Sequence, residues 1–369
     1  MAHFGAMADA DYGAREEKAV AAIKKAIPST LKRDMHPLSK GMFCEIYENK
    51  EVFPDHFLAT AIDGVGTKVI LAEAMRKYDT IGIDLVAMSA NDLATFGKMS
   101  PFMFIDYLAV EHKIEEEALT GDIIKGMVKG LEQCDASSIF RNSIRVHFGK
   151  GETASVDELM SGINEGYGFD LAGGMIGFVP KKNFGFQVRP GQKIIALPSS
   201  GLHSNGYTDA RLRLLKGEFE TREKFRKRYT GKFRLDDDFD GSTIGETLLA
   251  PTRLYVKQMA KISKGFNVQG ANNTGYGLKN LNRVTGKFSF HLTDPLEPQP
   301  IFKLLQKEGK FTKEQMYTKF NMGMGFFIIC EKDEAEDILQ VVKEGAVVGE
   351  VRAAPSTKVV MDGIGFVGY

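Results

Sequence analysis

The sequence predicts an α/β (α+β) protein of two domains, and three observations carry that prediction. Its 369 residues exceed the roughly 100–200 of one typical domain. Its 39 glycines are too many for a helix bundle and suit strands and helices joined by tight, functional turns. Its apolar residues come both as short β-prone runs (57–62, 102–110, 192–198, 326–330) and as helical stripes such as Leu119, Ile123, Met127 and Leu131. A polar, turn-rich segment near 182–190 divides the chain into 1–185 and 186–369.

Composition narrows the function classes. The chain is 43% hydrophobic and 26% charged, ordinary for a soluble globular protein. Lys plus Arg number 48, as do Asp plus Glu, so no global field favours nucleic acid or an anionic membrane. Three scattered cysteines, Cys44, Cys134 and Cys330, form no C-x-x-C pair and read as inert thiols in a reducing cytoplasm. No apolar run reaches the ~20 residues of a membrane span. Residues 1–5 lack the basic and apolar regions of a signal peptide.

In chain order, residues 14–26 predict a helix with Val20 and Ile23 as its stripe and Pro28 as its stop. Lys24 and Lys25 lie in its last turn, either complementing the helix dipole or reaching a phosphate. Residues 38–46 predict a turn into a strand. The run 57–62 predicts a strand entering Asp63-Gly64-Val65-Gly66-Thr67-Lys68. There backbone can approach a phosphate, Lys68 can balance its charge and Asp63 can hold a metal. Residues 69–76 predict a short helix, 81–85 a strand and 86–96 a helix. Asp84, Asn91 and Asp92 thereby supply hard oxygen ligands in an otherwise apolar stretch. The joint reading is a magnesium–nucleotide site.

The nearly continuous apolar run 102–110 predicts a strand covered on both faces, with Asp106 as a carboxylate in need of a partner. Residues 115–133 predict an amphipathic helix packed on the sheet. Residues 146–154 read as a glycine turn carrying Glu152 and Thr153, with His147 structural beside it. Residues 169–179 predict a strand closing the first half.

The second half opens with a strand at 192–198. It runs into Ser199-Ser200-Gly201-Leu202-His203-Ser204-Asn205-Gly206-Tyr207, a donor-rich loop before a helix at 208–215. Donors at a helix start suit an anion. His203 reads either as a general acid/base or as a grip on a phosphate or amide. Residues 216–240 mix basic and acidic runs and predict a solvated surface. Residues 248–257 start a helix, and 272–278 form a second polar glycine loop before a helix at 279–283. The glycines of 320–325 either admit a ligand or only let strands cross. Residues 326–330 and 347–351 predict strands, and 333–343 a helix.

Taken together, DGVGTK (63–68), DTIGIDLVAMSANDL (79–93), FMFIDYLA (102–109), GETA (151–154), DLAGG (170–174), SSGLHSNGY (199–207), LLAPTRLYVK (248–257) and FNMGMG (320–325) resemble the phosphoribosylformylglycinamidine cyclo-ligase family, also called aminoimidazole ribonucleotide synthetases. They span nearly the whole chain in order. The resemblance implies a two-domain fold whose N-terminal sheet pairs across a homodimer, and an ATP-dependent ring closure of purine biosynthesis. In that reaction formylglycinamidine ribonucleotide is phosphorylated on its formyl amide oxygen, and an amidine nitrogen then displaces phosphate. It implies ATP and Mg2+ as cofactors, with Asp63, Asp84 and Asp92 on the metal and Asn91 beside them. Lys68 and Lys24 would neutralise phosphate, Thr67, Glu152 and Thr153 would line the nucleotide site, and His203, Ser204 and Asn205 would hold the acceptor or its phosphorylated form. Thr274 and Asn321 complete the implied binding set, and His203, Asn205 and Lys24 the implied catalytic one.

Three departures stand out. The family pattern His-Ile-Thr-Gly-Gly-Gly is here Asn272-Asn273-Thr274-Gly275-Tyr276-Gly277. Asn replaces His as a donor but carries no proton at neutral pH, and Tyr276 adds bulk where backbone closeness is expected. Its Gly-Gly-Glu-Thr-Ala-Glu-Met-Pro-Gly is here Lys150 to Glu158, and its Ala-Gly-Val-Asp motif is unclear around 11–14. The alternatives are a paralogue of the same fold that phosphorylates another acceptor, and a non-catalytic nucleotide-binding homologue.

Overall fold

A computed structural model describes residues 18–139, 145–182 and 184–367. The unclear motif at 11–14 and the first turn of the predicted 14–26 helix lie outside these residues. Residues 18–26 are helical (α1), and Lys24 on it is exposed. Two sheets organise the rest.

The first has the order β1-β2-β5-β3-β4. It is built from β1 (Glu45–Glu48), β2 (His56–Gly64), β3 (Ser100–Val110), β4 (His147–Ser155) and β5 (Phe169–Pro180). All neighbours are antiparallel except β3 and β4. After β2 come α2 (Val69–Ala74) and α3 (Ile81–Ala94), and after β3 come α4 (His112–Glu116) and α5 (Leu119–Cys134). Helix α3 packs on β2 and β5, and α5 packs on α3.

Two segments differ from what the sequence predicts. Residues 81–85 are not a strand but the first turn and more of α3. Every residue of that helix except Asp92 is buried. A helix covered on all sides shows no polar stripe, and its β-branched start mimics a strand. Residues 146–154 are not a turn but the edge strand β4. Its Gly151 sits where a Cβ would come 2.6 Å from Asp106 Oδ1, so the glycine serves close strand approach.

The run 102–110 is a strand, as expected, but it is covered on one face only. Phe104, Leu108 and Val110 face the core, while Ile105 and Tyr107 remain exposed.

The second sheet has the order β14-β13-β10-β12-β6-β11-β9. It begins with β6 (Lys193–Pro198), followed by α6 (Tyr207–Leu214), α7 (Glu223–Arg226) and a two-stranded ribbon, β7 (Asp238–Phe239) with β8 (Ser242–Thr243). Helices α8 (Ile244–Leu249) and α9 (Val256–Ile262) precede β9 (Gln269–Asn272) and β10 (Phe288–Leu292). Helices α10 (Pro300–Gly309) and α11 (Lys313–Lys319), strand β11 (Met324–Cys330), helix α12 (Ala335–Val341), and strands β12 (Ala346–Ala353), β13 (Val359–Met361) and β14 (Ile364–Phe366) complete the chain. The helix expected to run on from residue 248 is interrupted. Helix α8 ends at Leu249 and Pro251 keeps 250–255 out of helix until α9. That interruption positions the site.

A candidate active-site cleft between the two sheets

The predicted site residues fall into a sealed set and an open set. Lys68 and Asp84 form the sealed set. Their side chains have no exposure and stand 2.9 Å apart. Lys68 Nζ also donates to His203 O at 3.1 Å and Ala250 O at 2.7 Å. Asp84 Oδ1 accepts from Thr252 N at 2.7 Å, Thr252 Oγ1 at 2.6 Å and Ser204 Oγ at 3.1 Å. Two turns along α3, Asn91 does the same work. Its Nδ2 donates to Arg253 O at 2.8 Å and its Oδ1 accepts from Tyr255 N at 2.9 Å. The non-helical 250–255 segment offers these backbone groups because it is not helical. In this arrangement Lys68, Asp84, Asn91 and Ser204 join the halves of the chain, and Asp84 does not face the cleft.

Burial holds the His203 imidazole near pKa 3, aided by Lys68 and Arg253. Its Nε2 accepts from Ser200 N at 3.2 Å. The residue has φ +62° and is buried. A ring that is neutral, enclosed and already accepting shapes its own loop and is poorly placed to move a proton. Gly325 makes room for it: a Cβ there would meet Tyr255 Oη at 1.9 Å and His203 Cε1 at 2.6 Å. Asn321 pins the same loops, donating to Gly201 O at 2.8 Å and accepting from Gly323 N at 3.0 Å. The glycines of 320–325 thus admit neighbouring protein.

The open set is Asp63 and Asp92, with Asn272 and Arg283 beside them. Asp63 is the last residue but one of β2 and accepts from Gly64 N at 2.8 Å. Asp92 is the one residue of α3 that is not fully buried, and Asn272 Nδ2 donates to its Oδ1 at 2.8 Å. Burial raises the Asp92 carboxyl to about 7; Asn272 and Arg283 pull it down and Asp63 pushes it up. Arg283 interacts electrostatically with both carboxylates. It also donates to Met42 O at 3.1 Å and lies 4.8 Å from the centre of the Phe43 ring. Among the described residues no group of three or more His, Cys, Asp or Glu could hold a metal. Two carboxylates suffice for Mg2+ when phosphates and water complete its shell.

The remaining predicted residues surround this cluster at varying reach. Asn205 Nδ2 is buried without a hydrogen-bond partner among the described residues. Thr67 Oγ1 lies 3.3 Å from Thr208 Oγ1, and Thr274 O accepts from Asn280 Nδ2 at 3.4 Å. Glu152 and Thr153 sit on edge strand β4. Asp63, Gly173, Asp106 and Gly151 are in register across the sheet, so Glu152 stands ~14 Å from Asp63, three strand spacings away. Glu152 lines a hollow of about 370 Å³ with Ile62, Ile105 and Tyr107 on the sheet's outer face. Burial raises the Asp106 carboxyl, and its Oδ1 has no hydrogen-bond partner among the described residues. Lys24 is exposed on α1, and no described contact brings it to the cluster.

Arg283 and Thr252 carry no signal in the sequence that marks them for the site. Arg283 ends a short helical turn, and only the fold returns it to Asp92. Thr252 lies in the 248–257 motif, yet its partner Asp84 is far away in sequence.

Comparison with known proteins agrees over both halves. Residues 47–179 match the model for the AIR synthase related protein N-terminal domain, and 189–362 match that for the C-terminal domain. A Methanosarcina barkeri protein named phosphoribosylformylglycinamidine cyclo-ligase is 41% identical over 302 residues, 81% of each chain. A Pyrococcus horikoshii protein of the same name is 36% identical over 341 residues, 91% of each. The structure of AaThiL complexed with AMPPCP and TMP superposes with TM-score 0.55 at 15% identity, covering 95% of this chain and 94% of that one. The hydrogenase maturation protein HypE in complex with ATP gives 0.51 at 13%, over 85% of each. At such identities these two likenesses speak to the fold alone.

Proposed function

The chain belongs to the AIR synthase related protein family, and from that premise we propose that it closes the imidazole ring of formylglycinamidine ribonucleotide with ATP. The products are aminoimidazole ribonucleotide, ADP and phosphate, a ligase step of de novo purine biosynthesis. ATP transfers its terminal phosphoryl group to the formyl amide oxygen. The amidine nitrogen attacks the same carbon, and the C–O bond breaks to release phosphate.

The observation that carries this reading at the site is the meeting of Asp63, Asp92 and Arg283 below two polar loops, 203–206 and 272–277. Asp63 and Asp92 suit Mg2+ on the polyphosphate, and Arg283 suits neutralisation of its charge. Bound magnesium would supply charge neutralisation for phosphoryl transfer. The nucleotide would extend along the sheet toward Glu152 and Thr153. Asn205 would donate to the acceptor, and Lys24 would reach phosphate once α1 closes on the cleft. Lys68, Asp84, Asn91, Ser204, His203 and Asn321 hold the walls in place by their contacts, a positioning role. Residues 1–185 would bind ATP and pair across a homodimer, and 186–369 would complete the acceptor side. A cytoplasmic setting suits three buried, free thiols.

The test is turnover by purified protein given ATP, Mg2+ and formylglycinamidine ribonucleotide, with ADP and the aminoimidazole product scored together. Equal amounts of both support the reading. ATP binding without either product would reject it and favour another phosphoryl acceptor.

A further inference from the structure

Tyr276 stands where the family pattern has glycine, and it has φ +71°. Glycine adopts that conformation freely, whereas a bulky L residue does so at a cost. The residue is 44% exposed, so burial does little to offset that cost. The surroundings say where the ring stands. Its hydroxyl is within electrostatic reach of Arg283, which faces Asp92 and Asp63. The adjoining Gly275 lies against Asn205, where a Cβ would come 3.4 Å from Oδ1. The Asn205 amide nitrogen is buried and lacks a partner among the described residues.

We propose that Tyr276 is a specificity-determining residue of the acceptor site, its ring stacking on the planar amidine of formylglycinamidine ribonucleotide while the Asn205 amide donates to the formyl oxygen. This rests on the function proposed above. Both the conjugated amidine and the aromatic ring it becomes present flat faces, which an exposed phenol ring at the cleft rim can cover. The loop also packs against Asn205, whose amide the function proposed above gives to the acceptor, and this places the ring on the acceptor side of the site.

The experiment is steady-state kinetics of Tyr276→Gly and Tyr276→Phe, with KM measured separately for ATP and for formylglycinamidine ribonucleotide. Glycine relieves the left-handed backbone, so the melting temperature of Tyr276→Gly should equal or exceed that of the wild type. Its acceptor KM should rise about tenfold, in keeping with the loss of one stacking contact, while its KM for ATP stays within about twofold. Tyr276→Phe keeps the ring and should retain the wild-type KM. An unchanged acceptor KM in the glycine variant, a rise in the KM for ATP instead, or a phenylalanine variant as weak as the glycine one would overturn the proposal. If the wild type makes product and the variant's acceptor KM is unchanged, this inference alone fails; if the wild type makes none, the proposed function fails with it.

Discussion

Lys68 and Asp84 pair at 2.9 Å with neither side chain exposed, and each also bonds residues of the other half of the chain. An ion pair so enclosed is costly to break on one side, because the surviving charge is left buried. Asp84→Asn should therefore lower stability by about 3–5 kcal/mol, measured by urea denaturation. Replacing both, as Lys68→Met with Asp84→Leu, should recover much of that loss. If Lys68 served phosphate alone, its replacement would leave stability unchanged and weaken ATP binding instead.

Asp63 and Asp92 should behave in the opposite way. Asp92→Asn and Asp63→Asn should each abolish calorimetric binding of Mg–ATP while leaving the urea midpoint within a small margin of the wild type. Asn272 orients Asp92 through one hydrogen bond of 2.8 Å. Asn272→Ala should weaken Mg–ATP by about tenfold, the usual effect of losing a group that orients a metal ligand. Asn272→Ala with wild-type affinity would mean that Asp92 needs no such support.

Much of the fold was legible because its strands are short apolar runs and α5 has a clear stripe. Helix α3 was misread at its start because burial on all sides erased its periodicity. The sequence shows the residues of the proposed site by type, but not their surroundings. Asp84 and Asp92 look alike in sequence, both hard acids in an apolar stretch. Two turns of helix separate them, and the 250–255 segment covers the first while the cleft exposes the second. Only tertiary structure sets that difference. Asn272 was legible as a departure from the family pattern, and its contact with Asp92 shows why a donor is kept there.

Glu73 gives the fold a pH dependence. It is 4% exposed and accepts amide hydrogens from Ile163 N at 3.0 Å and Asn164 N at 2.7 Å. Burial raises its carboxyl to about 7, with Glu111 adding to the rise. The folded state thus holds this proton more tightly than the unfolded chain does. Its contribution to stability is full below the unfolded value and is lost as pH rises through about 7. The loss should amount to as much as ~3 kcal/mol. Denaturation at pH 5 and pH 8 should show this fall in the wild type relative to Glu73→Gln, whose side chain does not ionise. Parallel stability of the two proteins across that range would reject the assignment.

The outer face of the first sheet is the last place where the structure makes a demand. Ile62 is 78% exposed, and Ile105 and Tyr107 share the same hollow with exposures of 39% and 45%. Apolar side chains gathered on one sheet face mark a surface that another protein covers, and the proposed homodimer would cover it. A lysine at the centre of such an interface would have to be buried without a counter-charge. Ile62→Lys should therefore convert a dimer into a monomer in sedimentation velocity, with each chain still folded by circular dichroism. Because Asp63 follows Ile62 on β2, the variant should also weaken Mg–ATP binding, but less than Asp63→Asn does. A wild type that sediments as a single chain at micromolar concentration would remove the dimer, and the exposed face would then belong to a different partner.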